Sequence, residues 1–397
     1  MNVSGTADHA GERDAVLQRA EALLPGLRER AAATEALRRL PAETEAAFHE
    51  NGLFRVLQPA RVGGAELDYG IMIDLGAIVA RACPSSSWNL TNLLAHHWML
   101  ALFEPEVQDE VWGPDPDVLL AASMIFPAGK ARAVDGGYVI SGRWPFASGI
   151  DPSAWCMLGA IVADTDPAEH RMFVLPRADY EIIDTWHATA LRGTGSNDVA
   201  ATDVFVPAHR TLAVDETKGC RGPGLAVNDG PLYRIPVFAM FPYVLAGCAL
   251  GTAEGALEGY VAATRKRVGS YSGVRVAEHA PVQIKIAEAA VRIEAAGSLM
   301  RAACDEAMGY ARAGTVPDFT AKTRYRRNGA YAANECRRAV DILFESAGGA
   351  ALYERNPLQR YFRDVHAINA HISFNFDIAG AQYGRAVLGL EEGAGLL

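Results

Sequence analysis

Residues 131–149 read Ala-Arg-Ala-Val-Asp135-Gly-Gly-Tyr-Val-Ile-Ser-Gly-Arg-Trp144-Pro-Phe-Ala-Ser148-Gly149. A turn signal, Asp135-Gly136-Gly137, separates runs rich in strand-forming residues. Comparable runs fill the chain from Val118 to about Val206: Val118–Met124, Ala154–Ala163, Arg171–Pro176, Tyr180–Trp186 and Val199–Pro207. The turn candidate at 164–167 lies between two of them. Outward on both sides the texture is helical. Apolar residues recur at three and four from Ala15 to about Gly52, with charges on the other face, while residues 1–12 read as loose. Further helical stretches cover about Tyr69–Ala82 and Ser86–Phe103, and then segments near 237–267, 281–313, 320–347 and 360–390. In 281–313 the residues Val282, Ile286, Ala289, Ile293, Ala296 and Met300 form the seam of a long bundle helix. The chain therefore divides into helices at 1–117, a β domain at 118–222 and a helical bundle at 223–397. This order is not a βαβ series, which excludes a doubly wound nucleotide-binding sheet. No GxGxxG follows a strand; Gly193-Thr194-Gly195-Ser196 lacks the third glycine, and no P-loop is present.

The 397 residues are half apolar and carry a formal charge of −10. Disorder is excluded by the first number, and the second argues against nucleic acid as a partner. Cysteines 83, 156, 220, 248, 304 and 336 are single and make no CxxC, so they read as small apolar residues in a reducing, cytoplasmic setting. The N-terminus shows neither a basic start nor an apolar run of signal-peptide type. Ile235–Ala253 carries no charge. Its prolines and small residues predict a buried core helix rather than a membrane span.

No spacing of His, Cys or carboxylates suits a metal. His96 and His97 are adjacent, so they point about 100° apart on a helix and only one can face a given pocket. His366 and His371 are five apart on what reads as one helix. Ser148 lies in Trp144-Pro-Phe146-Ala-Ser148-Gly149 with no GxSxG elbow around it, which disfavours a serine nucleophile. It reads either as a plain turn or as a hydroxyl beside a flat ligand. Arg265-Lys266-Arg267 is either a solvated helix end or a phosphate contact. Gly348-Gly349 is either a helix cap or a close approach to a ligand.

Taken together, the α+β, mostly α layout resembles the acyl-CoA dehydrogenase fold: an N-terminal helical domain, a central β-barrel-like domain and a C-terminal four-helix bundle. The segments that carry the resemblance are Gly52-Leu-Phe-Arg-Val with Gly63-Gly64, Gly136–Gly142, Trp144–Gly149, Val204–Pro207, and Gly348-Gly349 before Arg363-Asp364. Many of those dehydrogenases place a Glu base nine residues after the Arg of the Arg-Asp pair. Here that position is Ile372, beside His371. The chain is more similar to the two-component flavin-dependent monooxygenases of the same fold, through Trp88-Asn89 followed by His97-Trp98, the Trp144–Gly149 loop and Asn356–Asp364 with His371.

This resemblance implies hydroxylation of a phenolic or polycyclic aromatic substrate through a flavin C4a-hydroperoxide. Reduced flavin, FMNH2 or FADH2, would come from a separate NAD(P)H:flavin reductase, and O2 is the oxidant. It also implies that Ser148 sits beside flavin N5, with Trp144 and Phe146 flanking the ring. Trp88, His97, Ser123 and His371 would surround the substrate, one histidine handling the phenolic proton. Arg265 would pair with a flavin phosphate, and Gly348 and Gly349 would approach the cofactor from a neighbouring subunit of a homotetramer. Arg363 and Asp364 would be structural. The alternatives are an N- or S-oxygenase of this fold, a dehydrogenase with a displaced base, and a ligand-binding member without catalysis.

Overall fold

The computed structural model describes residues 4–163, 165–269 and 273–390, with side chains from residue 11 onward. It begins with helices α1 (Ser4–Ala22), α2 (Leu24–Leu37) and α3 (Ala42–Glu50). Helix thus starts well before Ala15, and the stretch read as loose is largely α1. The long helical pattern to Gly52 is broken at Leu23 and again at Arg38, which turns left-handed (φ 58°) three residues before Pro41 opens α3. Then come α4 (Ile71–Ala80), α5 (Pro84–Leu100) and α6 (Pro105–Trp112). Every residue of α5 is buried, because helices and sheet close on it from all sides.

The β domain follows: β1 (Leu120–Ser123), β2 (Gly129–Val134), β3 (Gly137–Ala147), β4 (Trp155–Val162), β5 (Glu169–Pro176), β6 (Glu181–Ile183), β7 (Asn197–Pro207) and β8 (Thr211–Ala213). They form one mixed sheet in the order β6-β7-β3-β2-β4-β5-β8, with β1 paired parallel to β4. β2 and β3 are an antiparallel pair joined through Gly136, whose φ of 77° suits the tight turn.

The chain then becomes helical again: α7 (Val237–Met240), α8 (Pro242–Lys266), α9 (Ala280–Arg312), α10 (Phe319–Ala347), α11 (Pro357–Asn369) and α12 (Phe376–Val387). α8 is the apolar core helix anticipated from Ile235–Ala253, and every residue from Pro242 to Ala253 is buried. Its backbone packs directly against α4 because its small residues allow so close an approach. A Cβ at Gly251 would stand 1.9 Å from the Ala77 carbonyl oxygen. Five of the six cysteines are buried, Cys220 is half-buried, and all are free thiols. The segment read as one helix over 360–390 is two, separated by a short turn at Ile372–Phe374. That break redirects His371.

Candidate active site

The site is assembled at the end of β3. Strand alternation would put Trp144 and Phe146 on one face. The pairing with β7 instead slips between Trp144↔Val199 and Ala147↔Asn197, and Phe146 adopts φ of 66°. This bulge re-aims the side chains. Trp144 is sealed inside the β domain, its indole N–H donating to the Gly159 carbonyl at 2.6 Å. It cannot flank a ligand, contrary to the expectation from the sequence. Phe146 projects outward, 61% exposed, and meets Trp186 edge-on at 6.3 Å. Trp186 was not among the residues picked out from the sequence.

The same pairing sets Ser148 beside Ser196. Ser148 Oγ accepts from the Trp88 indole at 3.0 Å and lies 2.8 Å from Ser196 Oγ. Ser196 Oγ lies 2.6 Å from Thr194 Oγ1, which donates to the Leu191 carbonyl at 3.0 Å. The Trp186 indole donates to that carbonyl too, at 3.0 Å. Thr194 and Ser196 belong to Gly193-Thr194-Gly195-Ser196, noticed in the sequence only for lacking a glycine. Ser123, at the end of β1, donates to the Pro145 carbonyl at 2.7 Å and so braces the approach to Ser148.

Trp88 joins two parts of the site, since its ring also meets His371 edge-on at 5.9 Å. His371 caps the turn after α11, where its Nδ1 accepts from the Ser373 N–H at 3.2 Å. The ring hydrogen is therefore on Nε2. Burial, helped by the Arg326 charge, holds its pKa down to about 4, so it is neutral near pH 7.

Of the adjacent pair His96-His97, His96 lies on the side of α5 nearer to that of Trp88. From Trp88, His96 lies about 80° around α5, whereas His97 lies about 180° away. His97 points into the N-terminal core. Its Nδ1 accepts from the Trp112 indole at 3.0 Å, and its pKa falls to about 3 through burial, then His96, Arg55 and His49. That geometry corrects the assignment of His97 to the substrate. His96 Nδ1 lies 2.6 Å from the Leu120 carbonyl, which can only accept, so Nδ1 carries the hydrogen and Nε2 keeps a lone pair. Burial lowers its pKa to about 4. The two histidines thus present opposite faces: Nε2 as an acceptor on His96 and Nε2–H as a donor on His371.

The remaining expected residues stand apart from Ser148 within this chain. Arg265 is exposed at the end of α8. Gly348 has φ of 65°, and Gly349 is open to solvent. Arg267, not Arg265, reaches that segment, donating to the Ala347 carbonyl at 2.8 Å. Arg363 and Asp364 brace the loop behind the site. Arg363 donates to the Thr189 carbonyl at 2.6 Å and pairs with Glu35 at 2.8 Å, while Asp364 accepts from the Leu191 N–H at 2.7 Å. Burial raises the Asp364 pKa to about 7. Ile372, where dehydrogenases of the resembled kind carry a Glu, is an exposed apolar residue.

Comparison with known proteins agrees with this architecture. Residues 243–376 match the family described as acyl-CoA dehydrogenase, C-terminal domain. The chain is 38% identical to the flavin-dependent monooxygenase oxygenase subunit HsaA of Rhodococcus jostii, over 94% of this chain and 98% of that protein. It is 37% identical to the FADH(2)-dependent resorcinol hydroxylase oxygenase component of a Rhizobium species, over 90% of each. The crystal structure of 3-HSA hydroxylase from Rhodococcus sp. RHA1 superposes with a TM-score of 0.92 at 37% identity, covering 96% of this chain and 98% of that one. With near-full-length relatives at these identities and Glu replaced by Ile372 beside His371, the chain belongs to the oxygenase components of the flavin-dependent monooxygenases, built on the acyl-CoA dehydrogenase fold.

Proposed function

We propose that this oxygenase hydroxylates a phenolic aromatic substrate in the space bounded by Ser148, Trp88, His96 and His371, with reduced flavin supplied by a separate reductase. The observation that carries the reading is Trp88, whose indole N–H engages Ser148 while its ring meets His371. One aromatic residue so links the place where a flavin would sit to the place where a proton would move.

The residues fit a flavin. Phe146 exposes a ring that meets Trp186 at a right angle, an aromatic corner against which a flat ring can rest, and Ser148, two residues on, offers a hydroxyl oxygen. When bound, reduced flavin supplies the electrons that activate O2, one oxygen atom of which goes to the aromatic ring. The protein's part is to hold, to exclude water and to move protons. Phe146, Trp186 and Ser148 hold the flavin. Trp88 excludes water from Ser148 and offers a face to a flat substrate. His96 Nε2 accepts a hydrogen bond from the phenolic hydroxyl and takes its proton only as the new C–O bond forms, since a ring held near 4 is too weak a base to ionise the phenol beforehand; the hydrogen bond makes the ring electron-rich at the carbons beside the oxygen. His371 Nε2–H would be the donor that the site offers to an oxygen atom between flavin and substrate. Ser123 keeps the β1 end in register with Pro145.

Arg265, Gly348 and Gly349 are assigned to the flavin of a neighbouring subunit in a cytoplasmic homotetramer. Exposed Ile284 and Val291, seven residues apart on α9, and Leu352 and Tyr353 beside the Gly pair support such assembly. The test is to reduce flavin anaerobically, mix it with the protein and O2, and measure product from a panel of phenols against hydrogen peroxide released. A phenol that raises product at the expense of peroxide supports the proposal. Peroxide alone with every phenol, alongside turnover of an amine or thioether, would replace it with N- or S-oxygenation.

A further inference from the structure

Five buried groups, from Trp88 through Ser148, Ser196 and Thr194 to the Leu191 carbonyl, form a chain whose hydrogen order is fixed at its ends. Trp88 Nε1 can only donate, and it donates to Ser148 Oγ at 3.0 Å. The Leu191 carbonyl can only accept, and it lies 3.0 Å from Thr194 Oγ1. Between them stand Ser148 to Ser196 at 2.8 Å and Ser196 to Thr194 at 2.6 Å. Each hydroxyl has one hydrogen. Thr194 spends its hydrogen on Leu191, so it accepts from Ser196. Ser196 is then spent, so it accepts from Ser148. Ser148 has no hydrogen left for anything in front of it. The reverse order would set the Thr194 oxygen against the Leu191 carbonyl oxygen, two acceptors at 3.0 Å. Leu191 is held where it is: its N–H is clamped by Asp364, and its carbonyl also accepts from Trp186.

We propose that Thr194 and Ser196 are positioning residues that make Ser148 a hydrogen-bond acceptor toward the flavin, so that the site prefers the reduced cofactor, whose N5 bears a hydrogen, over the oxidised one, whose N5 is itself an acceptor. This inference rests on the placement of Ser148 in the proposed function. Its consequence is release. Once the flavin is oxidised, two acceptors face each other, and the spent cofactor leaves for the reductase while a reduced one takes its place. The preference comes from a matched donor in one state and a buried unmatched pair in the other, roughly a ten- to hundredfold ratio of affinities.

The experiment is anaerobic titration of reduced and of oxidised flavin into the wild-type protein and into Thr194→Val, Ser196→Ala and Thr194→Ser. Thr194→Val keeps the shape and removes the hydroxyl. Without an acceptor beyond it, Ser196 turns back toward Ser148 and frees the Ser148 hydrogen for oxidised N5. The ratio of the two affinities then narrows about tenfold, mainly through tighter oxidised flavin. Ser196→Ala narrows it likewise, and Thr194→Ser keeps the wild-type ratio. If Thr194→Val and Ser196→Ala weaken both flavin states equally, the two residues merely support the loop and the inference is overturned. If the wild-type protein binds neither state, the proposed function itself falls. A wild-type protein that binds reduced flavin while the variants leave the ratio untouched removes only the inference.

Discussion

Replacing His96 and His97 one at a time separates the chemistry of the site from its support. His96→Asn is the informative change. The Asn amide nitrogen falls where Nδ1 lies, so the 2.6 Å contact to the Leu120 carbonyl survives while Nε2 is removed. A lost general base costs about a hundred- to ten-thousandfold in rate. The pH profile carries a further signature. In the wild type His96 is neutral above about 4, so hydroxylation is flat on the neutral side. In His96→Asn the phenol must ionise unaided, and the rate climbs toward the phenol's own pKa of about 10. The measurement is single-turnover product formation with pre-reduced flavin, read beside hydrogen peroxide and flavin affinity. Flavin binding is unchanged, product falls and peroxide rises. His97→Leu behaves otherwise: it leaves the buried Trp112 N–H without its acceptor, which costs roughly 1–3 kcal/mol of stability and nothing in product per folded protein. If His96→Asn hydroxylates normally with the wild-type pH profile, while His97→Leu loses product without losing stability, the assignment of the two histidines is refuted.

Three further outcomes follow from the same geometry. His96, His97 and His371 are held at about 4, 3 and 4 in the fold against 6.5 when free. The unfolded chain therefore binds more protons as pH falls from 6.5 toward 4, and thermal stability drops in that window by up to about 3 kcal/mol per histidine, as scanning calorimetry at stepped pH would register. A flat stability curve there would show that the rings are solvated. Phe146→Gly relieves a left-handed backbone at an exposed position, so the free protein gains on the order of 1 kcal/mol, whereas reduced flavin binds more weakly. Loss of stability instead would mean that the ring is a core residue. Asp364 differs in sign: its carboxyl is raised to about 7 against 3.8, so stability is lost as pH rises from about 4 to 7, and the cost is complete above 7. Asp364→Asn keeps an acceptor for the Leu191 N–H, and in melting curves at pH 8 it is more stable than the wild type, the gain fading toward pH 4. A gain independent of pH would place the carboxylate's charge elsewhere.

What the sequence made legible was what short periods can encode. Turn residues such as Asp135-Gly136-Gly137 and the three-to-four spacing in 281–313 placed the helices and strands in order, and that order carried the fold. The site was harder to read for three separable reasons. An adjacent His pair can be told apart only by an amphipathic face, and α5 has none, because all of Pro84–Leu100 is buried. Alternation put Trp144 and Phe146 on one side, and only the slip against β7, with φ of 66° at Phe146, divides them. His371 looked helical because the break before it is marked by no proline or glycine. Its signals are polar side chains, His371 itself accepting from Ser373 and Asn375 capping α12 by accepting from Ile378. The hydroxyl chain is the most instructive case. Ser148 and Ser196 are 48 residues apart, and nothing local relates them. They meet because β3 pairs with β7, and Leu191 holds their far end because Asp364, from the last part of the bundle, takes its N–H. The direction of a single hydrogen at Ser148 therefore depends on the β domain and the helical bundle together, which is why the residues that set it lay beyond any motif containing it.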